Sequence, residues 1–129
     1  MELAQMGRLH LGVVCLSLAC VIAASCYITR IPDLPSREAA KIISRAPEFN
    51  RYARLVNVER VDHMKDSMDS VSYAEFTFLY LNSPSDAPPI KAQADFRYIE
   101  GKWYLNGFHY GCPTDCHFVN ICDGPDKKR

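Results

Sequence analysis

The chain has 129 residues, of which 48% are hydrophobic and 23% are charged, a composition that predicts one globular domain. Its 15 Lys and Arg balance its 15 Asp and Glu, so there is no net charge to attract a phosphate backbone. The charge balance therefore argues against nucleic acid as a partner.

The N-terminal part of the chain is a predicted membrane-targeting segment, residues 1–29. Residues 9–29 contain no charged side chain, and 21 residues in a helix are long enough to cross a hydrocarbon core. This pattern predicts an uncleaved anchor, with two cleaved alternatives. The small residues 23–25 are typical of a signal-peptidase site, and the same run followed by Cys26 resembles a bacterial lipoprotein box, which makes Cys26 a lipidation candidate.

The sequence predicts a membrane-anchored protein that contacts the membrane through residues 9–29, with its domain on the extracytoplasmic side, either periplasmic or extracellular. Residues 30–35 are a linker stiffened by Pro32 and Pro35. The folded domain is predicted over residues 36–123, and a charged tail follows over residues 124–129.

The domain is predicted to begin with a helix over residues 36–46, capped by Ser36. Its apolar residues recur at helical spacing and form one buried stripe: Ala39, Ile42, Ile43 and Ala46. Pro47 either ends this helix or opens a second one. In the second case the stripe continues through Phe49, Tyr52, Ala53 and Val56.

Four strands are predicted after the helices, over residues 55–64, 71–82, 89–99 and 102–111. A break in the alternation near Glu59 indicates a bulge in the first of them. The last two strands form a hairpin around the turn Glu100-Gly101. This two-residue turn places Tyr98 opposite Trp103 and Phe96 opposite Leu105, with these large side chains on one side of the ribbon.

The predicted fold class is therefore α+β, with a helix or helical hairpin packed on a four-stranded antiparallel meander sheet. The uncovered face of the sheet is a possible binding surface because polar groups and aromatic rings are mixed on it. The alternative is an ordinary solvated face with half-exposed tyrosines. The candidate binding residues on this face are Asp95, Arg97, Tyr104, Asn106, Phe108 and Tyr110.

The order of elements over residues 36–110, with the segment Glu100-Gly101-Lys102-Trp103-Tyr104-Leu105, resembles the small cystatin-like and NTF2-like folds. The resemblance implies an N-terminal helix embraced by a curved antiparallel sheet. NTF2-like enzymes place a carboxylate beside phenols in a deep pocket, and Asp95, Tyr104 and His109 are the candidates for such a site here. The domain of about 90 residues, however, offers little material to close a cavity of that kind.

The C-terminal cysteines Cys112, Cys116 and Cys122 form a dense cluster with His117. Three residues separate the first pair, whereas zinc knuckles usually have two, and an oxidising compartment converts such thiols to a disulfide. A disulfide is therefore predicted, and no metal or other cofactor is expected. The first choice is Cys112 with Cys116, and Cys112 with Cys122 is the alternative.

Four functions are compatible with this pattern. The first is a non-catalytic binding or assembly module anchored in a membrane, with a protein partner that the sequence does not identify. The second is a small NTF2-like enzyme or ligand-binding pocket protein. The third, less favoured than the first, is metal or thiol handling by the C-terminal cysteine cluster. The fourth rests on the membrane segment followed by a helix and a short sheet, which is similar to cytochrome oxidase assembly factors of the Coa1 type.

Overall fold

The computed structural model describes residues 31–64 and 71–127. Two helices come first, α1 (Ser36–Arg45) and α2 (Pro47–Asn50). Five strands follow: β1 (Ala53–Met64), β2 (Val71–Tyr80), β3 (Ile90–Ile99), β4 (Lys102–Tyr110) and β5 (His117–Asn120). The strands form one antiparallel sheet in sequence order, so the predicted α+β class is confirmed.

The predicted membrane segment, the linker residue Arg30 and the lipidation candidate Cys26 lie outside the described residues. Among the helices that the structure describes, none has the length and apolar character needed to span a membrane. The anchor and the lipidation site therefore stay predictions.

Helix α1 supplies the first apolar layer of the domain. It begins after Pro35, whose carbonyl accepts a hydrogen bond from the Ala39 amide at 3.0 Å. Ala39 and Ile43 lie one turn apart and are fully buried against the sheet. The helix ends at Arg45 because Ala46 is extended, with ψ 120°, as is usual for a residue that precedes proline.

Helix α2 is shorter than predicted. It ends at Asn50, and Ala53 already belongs to β1, so the predicted helical stripe through Tyr52, Ala53 and Val56 is wrong. The Leu81 amide donates to the Tyr52 carbonyl at 2.9 Å, which extends the β1–β2 ladder up to the end of α2. Strand pairing therefore takes these residues out of the helix, since an isolated helix of this length is marginal.

The β3–β4 hairpin has the predicted register. Tyr98 pairs with Trp103 and Phe96 pairs with Leu105. Glu100 and Gly101 both have positive φ, 50° and 84°, which is the backbone of a type I′ turn. This turn matches the right-handed twist of the strands on either side and fixes their pairing.

Two of the strands contain bulges, and these decide which side chains face the core. The register of β1 shifts between Leu55 and Asn57 and again between Val58 and Arg60, and the latter shift confirms the predicted bulge at Glu59. A further shift lies in β4, where Asp95 pairs with Gly107 and Phe96 pairs with Leu105, so that Asn106 is the extra residue. Beyond Asn106 the alternation of β4 is inverted.

The inversion moves Phe108 and Tyr110 to the face that carries the helices. Phe108 is 6% exposed and its ring meets that of Phe49 at 5.8 Å, edge to face. The prediction that these two aromatic residues share the open face with Asp95 is therefore wrong. The physical reason is the bulged residue Asn106, whose carbonyl accepts hydrogen bonds from the amides of Ile121 and Cys122 instead of continuing the ladder.

The sheet has a fifth strand that the sequence analysis did not predict. After β4 the chain reverses through residues 111–116 and returns as β5, which pairs with β4 from Gly107 to Tyr110. The predicted four-stranded sheet is therefore wrong in its number of strands. Ile121, immediately after β5, is buried in the core and closes that end of the domain.

The core lies between α1, α2 and the helix-facing side of the sheet, which we call the inner face. Its largest fully buried side chains are Phe49, Phe76, Phe78, Phe96, Ile43 and Leu105. Ala74, Ala92 and Ala94 occupy the middle of β2 and β3 on this face, where their small side chains leave room for α1 and the phenylalanine rings.

Candidate functional site

A large cleft lies on the inner face, beside α2. Its volume is about 610 Å³. The short helix α2 covers part of the inner face with Phe49 and then stops, so the ends of β1, β2 and β4 beyond it form an open concave surface. The lining residues are Glu48, Phe49, Arg51, Tyr52, Ala53, Phe78, Tyr80, Leu81, Asn82, Phe108, Tyr110 and Val119.

Aromatic rings form the walls of this cleft. Phe49 meets Phe78 and Phe108 edge to face, with ring centroids 5.8 Å apart in both pairs. Phe78 in turn meets Tyr80 at 5.5 Å and Tyr110 at 5.3 Å, again edge to face. Such pairs add stability beyond area burial and limit ring movement. The walls are therefore largely preformed for an apolar molecule.

Two tyrosine hydroxyls form a hydrogen-bonded pair at the cleft. The hydrogen bond between Tyr80 and Tyr110, followed by burial, raises the pKa of the Tyr80 phenol from 10.0 to about 12. One hydroxyl of such a pair donates and the other accepts, so one of the two hydroxyl hydrogens is not used within the pair. The Tyr110 ring is stacked on His117 of β5 at 4.9 Å, which holds its orientation.

The rim of the cleft is also apolar, although water reaches it. The Tyr52 side chain is 67% exposed and that of Leu81 is 61% exposed. Both belong to the connection between α2, β1 and the end of β2, where the Tyr52 carbonyl and the Leu81 amide are hydrogen-bonded. Exposed apolar groups that continue an apolar cleft are typical of binding sites.

Two charged residues line the cleft, Glu48 and Arg51, and they differ in whether a described residue pairs with them. The Glu48 carboxylate is 3.3 Å from the Lys127 ammonium, which also lies 3.3 Å from the carboxylate of Asp123. Lys127 additionally donates to the Ile121 carbonyl. Arg51 is exposed and forms no ion pair within residues 31–64 and 71–127.

The predicted binding face is only partly assembled. Asp95 and Asn106 lie together on the outer face, the side of the sheet away from the helices, and the Asn106 amide donates to the Asp95 carboxylate at 2.6 Å. Tyr104 pairs with Arg97 on the same face. Phe108 and Tyr110 belong instead to the inner-face cleft. The sequence therefore identified two cleft residues but assigned them to the wrong surface.

A second, smaller cleft of about 320 Å³ lies where the outer face meets the loop after β4. Glu75, Gln93 and His109 stand side by side across β2, β3 and β4 and contribute to its lining. Neither cleft includes Asp95, so the structure provides no enclosed pocket for the predicted acid–base group Asp95, Tyr104 and His109 at these two openings.

The cysteine prediction is confirmed in its first choice. Cys112 and Cys116 form a disulfide with Cα atoms 4.4 Å apart, and it closes the loop between β4 and β5. Cys122 is exposed and has no disulfide partner in the described part of the chain. Within that same part, no three metal-ligating side chains are grouped as they would be around an ion.

Sequence reasoning did not find the cleft, because it depends on where α2 ends and on the bulge at Asn106. One local signal was present: Gly107, a glycine within a strand pattern, is a common mark of a bulge. Comparison with known proteins adds no identification, since no family model matches the chain and no curated protein or solved structure is significantly similar to it. The cystatin-like and NTF2-like resemblance therefore stays a prediction.

Proposed function

We propose that the domain is a non-catalytic binding module and that its binding site is the inner-face cleft. The observation that supports this most is the cleft itself, about 610 Å³ between preformed aromatic walls. This volume lies within the range of about 300–1,000 Å³ that is usual for small-molecule sites. The apolar rim of Tyr52 and Leu81 extends the same surface outward.

The groups around the cleft suit binding better than acid–base catalysis. Glu48 is the carboxylate in the described lining, and Lys127 lies against it. The hydrogen bond with Tyr110 and burial raise the pKa of the Tyr80 phenol to about 12, which moves it further from the neutral range in which a general acid or base works. Asp95, the carboxylate on which the alternative NTF2-like enzyme depends, is held by Asn106 on the opposite face of the sheet.

We also propose that residues 9–29 attach this module to a membrane, with the domain on the extracytoplasmic side. The charge-free run in the sequence supports attachment. The Cys112–Cys116 disulfide supports an oxidising compartment, because such bonds persist there and are rare in the cytosol. The intact mass of protein isolated from native membranes tests this, since it reports cleavage, lipidation and disulfide number together.

The binding function is tested by methyl NMR with a library of apolar fragments. Val119 and Leu81 line the cleft, whereas Val71 is on the outer face and Leu105 is in the closed core. We expect fragments that bind to shift the resonances of Val119 and Leu81 and to leave those of Val71 and Leu105 unchanged. Shifts confined to Val71, or none with any fragment, would contradict the proposal.

A further inference from the structure

The charges at the cleft indicate the chemical class of its ligand, on the assumption that the proposed binding function is right. Of the two charged lining residues, Glu48 lies 3.3 Å from the Lys127 ammonium, which Asp123 shares at the same distance. Arg51 has no carboxylate partner among residues 31–64 and 71–127. Arg51 is therefore the charged lining residue that the described part of the chain leaves open to an ionic ligand, at the edge of a cleft with apolar walls. Guanidinium groups bind carboxylates well because their donors match the two oxygens.

A second donor is available in the same cleft. The Tyr80–Tyr110 pair uses one of its two hydroxyl hydrogens for its own hydrogen bond, so the other can be donated to an acceptor. An acceptor group on the ligand would extend this chain of hydrogen bonds, and each bond in such a chain polarises the next. A ligand without any acceptor would leave that hydroxyl hydrogen unused.

We propose that the cleft binds an apolar monocarboxylate, whose body lies between the aromatic walls and whose carboxylate pairs with Arg51. The body can be an alkyl chain or an aryl group, since edge-to-face phenylalanine and tyrosine rings present apolar surface to either. The exposed side chains of Tyr52 and Leu81 cover the part of the body nearest the rim. The volume of about 610 Å³ accommodates a molecule of that size.

The test compares an acid with its neutral amide on the full-length protein. The probes are 11-(dansylamino)undecanoate and the corresponding primary amide, whose fluorescence rises when the dansyl group leaves water. We expect the acid to bind up to about fivefold more tightly than the amide, the upper end of the range for an exposed ion pair. Arg51→Gln should remove this preference, and Arg54→Gln, an exposed arginine outside the lining, should retain it.

The same titrations separate the ligand class from the binding function. Tyr52→Ala with Leu81→Ala should weaken both probes, whereas Phe118→Ala, an exposed aromatic residue outside the cleft, should weaken neither. Equal affinities for acid and amide, or a preference that survives Arg51→Gln, overturn the carboxylate proposal and leave the cleft as a binding site. The binding function is overturned as well if neither probe binds, or if the double variant Tyr52→Ala with Leu81→Ala binds both probes as tightly as the wild type.

Competition then identifies the body of the ligand. Dodecanoate and 2-naphthoate are added separately to the complex with the dansyl acid. Displacement by dodecanoate supports an alkyl body, and displacement by 2-naphthoate supports an aryl body. If neither acid displaces the probe from the wild-type protein, the dansyl group alone drives its binding and the carboxylate proposal is refuted.

Discussion

Replacement of Phe49 tests whether the aromatic cluster holds α2 on the sheet. Phe49 is 2% exposed and has three edge-to-face partners, Phe76, Phe78 and Phe108, at 5.9, 5.8 and 5.8 Å. Removing a buried phenylalanine ring costs about 3–5 kcal/mol. Because Phe49 also borders the cleft, water can enter part of the space it leaves, so we expect Phe49→Ala to cost about 3 kcal/mol.

Phe49→Leu separates ring geometry from simple burial. Leucine keeps most of the apolar contact but loses the edge-to-face interactions, which are each worth about 0.5–1.5 kcal/mol. We therefore expect a loss of about 1–2 kcal/mol in the free energy of unfolding. For a domain of this size, that lowers the Tm by roughly 5–15 °C.

Urea denaturation followed by circular dichroism measures both variants against the wild type. The matched control is Phe118→Leu, because Phe118 is 69% exposed and should change stability by less than about 0.5 kcal/mol. If Phe49→Leu is no more destabilising than Phe118→Leu, then the aromatic cluster of the inner face does not hold α2 on the sheet.

Four further predictions follow from the described contacts. Tyr80 should titrate near pH 12 by NMR of its ring carbon, and Tyr110→Phe should lower that pKa. Because the folded-state pKa is raised, the stability that the Tyr80–Tyr110 hydrogen bond contributes is complete below about pH 10 and is lost as the pH rises to 12. Gly107→Ala should detach β5, because a Cβ at this position would lie 2.6 Å from the Val119 carbonyl oxygen. Amide exchange should then rise over residues 117–120, whereas the control Gly124→Ala should not raise it, because a Cβ at Gly124 has no neighbour within 4 Å. Cys112→Ser with Cys116→Ser should lower the free energy of unfolding by about 2 kcal/mol, as expected for so short a loop, whereas Cys122→Ser should not change it. A fragment of residues 31–129 should fold with dispersed NMR signals, because the buried hydrophobic cluster is formed by residues 34–121, and molten spectra would contradict this.

Local chemistry in the sequence determined the hairpin, the position of the Glu59 bulge and the disulfide. The turn Glu100-Gly101 permits positive φ at two successive positions, and the alternation on both arms allows one register only. The break in alternation at Glu59 is likewise a property of neighbouring residues. The spacing of Cys112 and Cys116 brings their side chains within reach in a single reverse turn.

The inner-face cleft could be found only from the tertiary structure. Strand β4 has aromatic residues on both sides of the Asn106 bulge, so its sequence suits either face equally, and the pairing of Asn106 with Ile121 and Cys122 sets the choice. The apolar stripe after Pro47 is compatible with a longer helix, but pairing of Ala53 with Tyr80 on β2 ends it at Asn50. At these two points, contacts between segments far apart in the chain outweigh local propensity. The cleft exists because β4 presents Phe108 and Tyr110 on the inner face and because α2 ends at Asn50.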